Sequence, residues 1–196
     1  MRFTTAAVTA VAALAPFASA VGNAKVVNKC GFPVYVWSVG GSVSQQNTVA
    51  SGGTYSEVLH HDPASGGIAI KVTTVENGLY NGSPQTNFAY TLDGQQVWYD
   101  LSDVFGDPFS SHAIGVKASA SCPSICWPSG VATSGGSQVK VCNANSDVTL
   151  TLCSGTCASQ MLPMSTASTI LKIIPSLIFP LQYDTQKRDN HNFQKM

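Results

Sequence analysis

Six cysteines, Cys30, Cys122, Cys126, Cys142, Cys153 and Cys157, constrain this chain more than any other feature, because they follow an export leader. Arg2 supplies a positive start, Ala6 to Phe17 an apolar stretch, and Ala18-Ser19-Ala20 a small-residue cleavage site. The mature chain is expected to begin at Val21, and the apolar stretch is short of the roughly 20 residues that span a bilayer. Outside the cell the compartment is oxidising, so the cysteines are expected to form disulfides. Spacing alone does not choose among the pairings they allow. A zinc site is disfavoured, since His60, His61 and His112 precede all the cysteines but Cys30 and form no familiar ligand pattern with them. No metal or cofactor is expected.

Composition divides the chain. Residues 21–157 hold all 17 glycines and all six cysteines but no arginine; residues 158–196 hold neither glycine nor cysteine. The ten basic and ten acidic side chains cancel only in sum. Residues 21–157 carry five Lys against eight acids, net −3; the tail carries four bases against two acids, net +2; Arg2 adds the last charge. With no basic excess in the domain, nucleic acid is excluded as a partner. In the tail, Ile170, Ile173, Ile174, Leu177, Ile178 and Leu181 have helical spacing, but Pro175 and Pro180 interrupt it. The run is too short for a membrane span, and the polar stretch Gln182 to Met196 after it is unlike a lipid-anchor signal. The tail is expected to be a non-native extension of the domain, disordered or loosely helical.

Between leader and tail the sequence reads as strands and tight turns. Val34–Val39, Ile68–Val72, Phe88–Leu92, Val97–Leu101, Val139–Val141 and Val148–Leu152 are rich in β-branched or aromatic residues, several with period-2 alternation. In the last run Val148, Leu150 and Leu152 are placed to face a core. Asp93-Gly94 signals a hairpin between the third and fourth runs. No helical period occurs before residue 158, and the expected architecture is an antiparallel β-sandwich.

Two motifs carry a family resemblance. Val26-Val27-Asn28-Lys29-Cys30 before an apolar strand, then Phe88-Ala89-Tyr90-Thr91-Leu92-Asp93-Gly94 with Tyr99-Asp100-Leu101-Ser102-Asp103-Val104-Phe105-Gly106, resemble the thaumatin-like proteins. The closer likeness is to their small fungal branch of yeast-phase-specific antigens, or antigenic thaumatin-like cell-wall proteins. It runs from about Met1 to Cys153, closest from Trp98 to Pro108. The resemblance implies an all-β, disulfide-stabilised, thaumatin-type sandwich without the large helical second domain of the plant members. It also implies a Cys30–Cys153 bridge and then Cys122–Cys142; Cys126 and Cys157 depart from the family's pattern and are expected to pair with each other. A bridge closing a loop of more than about 100 residues contributes on the order of 4 to 5 kcal/mol in the chain-entropy model.

Some thaumatin-like proteins bind or cleave β-1,3-glucan in an acidic cleft, and hydrolysis needs two positioned carboxyl groups. The resemblance aligns Ala89 and Val97 with a glutamate and an aspartate of that cleft, so two carboxylates are missing. Asp100, Asp103, Glu57 and Asp62 are the substitutes to weigh, against a turn-shaping role for Asp103 and Asp107 around Val104-Phe105-Gly106. His60-His61 fits a general base less well than a solvated loop before Asp62-Pro63. Trp98 and Trp37 are candidate sugar-stacking faces, and Asn81-Gly82-Ser83 is a glycosylation sequon followed by Pro84. The expected function is binding of neutral cell-wall glucan without catalysis, in a secreted protein of the cell wall or extracellular space. A β-1,3-glucan hydrolase with a non-standard carboxylate pair and a surface antigen or adhesin with a host protein partner are the alternatives. No integral-membrane role is expected, and nothing in the sequence sets an oligomeric state.

Overall fold

A computed structural model describes residues 20–133, 138–155 and Cys157. The leader, except Ala20, and the segment 158–196 lie outside the described residues. Eleven strands form in chain order: β1 Asn23–Asn28, β2 Val34–Val39, β3 Asn47–Val49, β4 Thr54–Val58, β5 Ile68–Thr73, β6 Gln85–Asp93, β7 Gln96–Val104, β8 Ile114–Ala118, β9 Ile125–Trp127, β10 Lys140–Asn143 and β11 Val148–Leu152. No helix occurs among the described residues.

The strands make two sheets, a five-stranded one in the order β4-β1-β11-β8-β9 and a six-stranded one in the order β10-β7-β6-β5-β2-β3. Their facing sides alternate as the sequence pattern requires: Val148, Leu150 and Leu152 of β11 are fully buried, as are Ile70, Val72 and Phe88 opposite. One pairing departs from the antiparallel expectation. β1 and β11 run parallel, from Ala24↔Val148 to Asn28↔Leu152. Parallel neighbours need a long crossover, and here nearly the whole domain lies between the two strands.

This pairing explains the Asn28-Lys29-Cys30 motif. Asn28 is fully buried at the end of β1. Its Nδ2 donates to the carbonyls of Phe32 at 2.9 Å and Val49 at 3.0 Å, and its Oδ1 accepts from the Cys30 backbone N–H at 3.0 Å. Cys30 is thereby held beside Cys153, one residue beyond β11, and the two are bridged. The bridge clips the adjacent ends of two parallel strands in one sheet. Cys122–Cys142 and Cys126–Cys157 are also bridged.

The predicted strands are present but their limits shift. β6 and β7 are longer than read, nine residues each, because polar Gln85, Thr86 and Asn87 pair in register with Val104, Asp103 and Ser102. The Asp93↔Gln96 pair leaves Gly94 and Gln95 as the turn, so the hairpin is centred one residue later than Asp-Gly, with Gly94 at φ 56°. β8 was missed although Ile114, Val116 and Ala118 alternate inward. Its Gly115 permits the close approach of β9, since a Cβ there would meet the Ile125 carbonyl oxygen at 2.9 Å.

Candidate ligand-binding face

The six-stranded sheet turns its second face away from the core, and register assigns that face in rows. One row runs Trp37, Lys71, Asn87, Ser102; the next runs Val39, Ala69, Ala89, Asp100; the third pairs Thr91 with Trp98 and Val141. Alternation fixes the direction: Val97 and Tyr99 are buried, whereas Trp98 between them is 41% exposed. The central row is floored by the small Ala69 and Ala89. Trp98 stands in the row on one side of these residues, and in the row on the other side Lys71 donates from Nζ to Gln85 Oε1 at 3.2 Å and to Asn87 Oδ1 at 3.1 Å. Four residues of strand and two strand spacings separate Trp98 from Lys71, about 13 Å along and about 9.5 Å across.

Trp37 does not serve as the second aromatic platform. It lies on this face, but Tyr80 meets its ring edge-on, with centroids 6.4 Å apart, and Trp37 is 1% exposed. The sequence offered Trp37 as a stacking face without showing that Tyr80, from the loop after β5, packs on it. Tyr80 itself is 70% exposed. In the same loop Asn81 is exposed, and its Oδ1 accepts from the Ser83 backbone N–H at 3.1 Å and from the Ser83 hydroxyl at 2.5 Å.

The four carboxylates weighed from sequence fall in four environments. Asp100 lies on the outward face, where Oδ1 accepts from the backbone N–H groups of Leu101 at 2.8 Å and Gln138 at 3.0 Å. Asp103, three residues on, points the other way; its Oδ1 accepts from the Thr86 hydroxyl at 2.5 Å, while Oδ2 is buried without a hydrogen-bond partner among the described residues. Burial, and then the neighbouring Asp107 carboxyl, push Asp103 up to about 7. Asp103 thus faces inward, with the Asp107 carboxyl beside it across the Val104-Phe105-Gly106 turn. Asp62 is a turn cap: it accepts from the N–H groups of Ala64 at 2.9 Å and Ser65 at 2.8 Å and from the Ser65 hydroxyl. The backbone N–H groups of Ser65 and Gly41 and that hydroxyl hold it down at about 2.

Glu57, on β4, reaches between the sheets and accepts from the phenols of Tyr55 and Tyr90, both at 2.6 Å. Burial and this carboxylate raise both phenols well above the ordinary tyrosine range. Exposed His60 lies 3.1 Å from the Tyr90 phenol and 3.0 Å from the Val58 carbonyl. Glu57 binds in the Tyr90 row and Asp103 in the Thr86 row, four residues or about 13 Å apart along β6, beyond the roughly 5 to 9.5 Å that glycoside hydrolysis uses. The sequence did not flag Lys71, Gln85 or Asn87; only the register of β5 with β6 brings them together.

The two sheets and three bridges define a thaumatin-like β-sandwich. The chain belongs to the Blastomyces yeast-phase-specific protein family, whose model matches residues 11–154. It is 39% identical over 130 residues to the antigenic thaumatin-like protein of Arthroderma benhamiae, a match covering 64% of this chain and 65% of that protein. It is 30% identical over 162 residues to the secreted thaumatin-like protein calA of Emericella nidulans, covering 75% and 92% respectively. The fold is similar to that of the protein elicitor MoHrip2 from Magnaporthe oryzae, with a TM-score of 0.56 at 22% identity over 67% of this chain and 98% of that one. Among the described residues no helix is long and apolar enough to cross a membrane.

Proposed function

We propose that this is a secreted protein that binds neutral cell-wall glucan on the outward face of its six-stranded sheet without hydrolysing it. The observation that carries this reading is the row of small residues between exposed Trp98 and half-buried Lys71. The indole on one side of that row and the ammonium on the other give a mixture of flat apolar and directional polar surface that suits sugar rings. Export is supported by the leader, the three bridges and the relative named as secreted. Binding is favoured over hydrolysis because Asp103, Glu57 and Asp62 are held away from Asp100 by the contacts described above.

Sedimentation with insoluble β-1,3-glucan, read together with reducing-sugar release, separates the possibilities. The expected result is retention without release, and retention lowered about tenfold in Trp98→Ala, in keeping with the loss of one aromatic stacking contact. Sugar release that disappears in Asp100→Asn would make the protein a hydrolase. Retention on neither this polymer nor other cell-wall polysaccharides would leave the antigen or adhesin reading.

A further inference from the structure

A cleft of about 390 Å³ opens where the chain enters β1, beside the β6–β7 turn and the end of β10. Ala20, Val21, Gly94 and Ala144 line it, and Gln95, Asn143 and Asn145 supply its polar side chains. Backbone hydrogen bonds tie the walls together: the Gly22 N–H donates to the Ala144 carbonyl and the Ala144 N–H to the Gln95 carbonyl, both at 2.8 Å. Gly22 is pressed onto the loop after β10, where a Cβ would meet the Ser146 carbonyl oxygen at 2.2 Å. The cleft is therefore preformed, and none of the side chains that line it is ionisable.

The chemistry of those side chains selects a ligand class. Gln95, Asn143 and Asn145 are exposed, and none of their amides has a hydrogen-bond partner among the described residues. Each amide offers donor and acceptor side by side, the complement of neighbouring hydroxyls on a sugar ring. A chain cut at the expected site adds the Val21 ammonium, a further donor for hydroxyl oxygens. The cleft also continues the face that carries Trp98. Val141 pairs with Trp98 and Asn143 with Gln96, so Asn143 lies on the outward face one row beyond the indole, about 7 Å along β10. We propose that this cleft is a subsite for a neutral sugar unit of the same chain that stacks on Trp98, its hydroxyls bonded by the amides of Gln95, Asn143 and Asn145. The inference rests on the reading that the outward face binds glucan, and it extends the bound chain past the indole on the side opposite Lys71.

The test is an NMR titration of the oxidised, leader-free protein with a soluble β-1,3-glucan oligosaccharide. Two reporters are followed: the Trp98 indole N–H, and the side-chain amides of Gln95, Asn143 and Asn145. Both are expected to shift saturably with one common Kd. Replacing Asn143 and Asn145 together by alanine is expected to raise that Kd about tenfold, the equivalent of two neutral hydrogen bonds, with the indole still responding. Amide signals that stay still while the indole shifts, or a folded double variant that binds like the wild type, overturn the inference and leave the sugar-face reading intact. Shifts of the amides alone keep the cleft as a sugar site but overturn both the shared chain and the reading of the Trp98 face. No shift in either reporter overturns the inference and the reading together.

Discussion

Asp103 gives the fold a pH dependence between ordinary acidity and neutrality. Unfolded, an aspartate titrates near about 3.9; in the fold, burial beside Asp107 moves this one to about 7. Between those values the folded chain holds a proton that the unfolded chain has lost, so raising the pH favours unfolding. This contribution is complete below about pH 4 and gone above about pH 7, and the partial exposure of the carboxyl keeps it modest. The denaturant midpoint is expected to fall across that window, and Asp103→Asn is expected to flatten the fall. An unchanged slope in Asp103→Asn would reject the assignment. At this scale the sequence was least informative. Asp103 looked like one of three aspartates around a turn, and Lys71, Gln85 and Asn87 looked like unrelated polar residues, because their meaning comes from partners on neighbouring strands.

Strands were more legible, since a period of two needs no knowledge of partners. Val148–Leu152 could be read from sequence with its limits and its buried face correct. The short β3 and β9, three residues each, offer too few positions for alternation to register. The parallel pairing of β1 with β11 was invisible because both strands alternate as an antiparallel strand would. That pairing makes the Cys30–Cys153 bridge, with a sequence separation of 123, the most consequential of the three, against 20 for Cys122–Cys142. In the chain-entropy model the first contributes about 5 kcal/mol and the second about 3 kcal/mol. Replacing Cys30 and Cys153 together by alanine is therefore expected to lower unfolding free energy more than replacing Cys122 and Cys142, as read from urea titrations. The reverse order would show that local strain or residual structure outweighs loop closure.

The whole molecule depends on its last strand. β11 lies between β1 and β8 in the five-stranded sheet, so a chain ending at Asn145 keeps β4-β1 and β8-β9 only as separate pairs. Such a chain also lacks the partner of Cys30. It is expected to lose near-ultraviolet circular dichroism and cooperative thermal unfolding; a sharp transition in that truncation would contradict the topology. Fold class was readable from cysteines, turns and strand runs together, whereas the proposed binding face required the assembled sheet.

The side-by-side placement of β1 and β11 also sets an order of events as the chain is made. β1 begins at Asn23, three residues after the expected cleavage site, and cannot take its central place until Leu152 has emerged. If the chain is exported as proposed, a leader peptidase meets an N-terminus not yet locked in its sheet, and Cys30 stays without its native partner until Cys153 is made more than a hundred residues later. Oxidation of that pair is tied to completion of β11, so under the same proposal a shortened chain is expected to expose an open thiol.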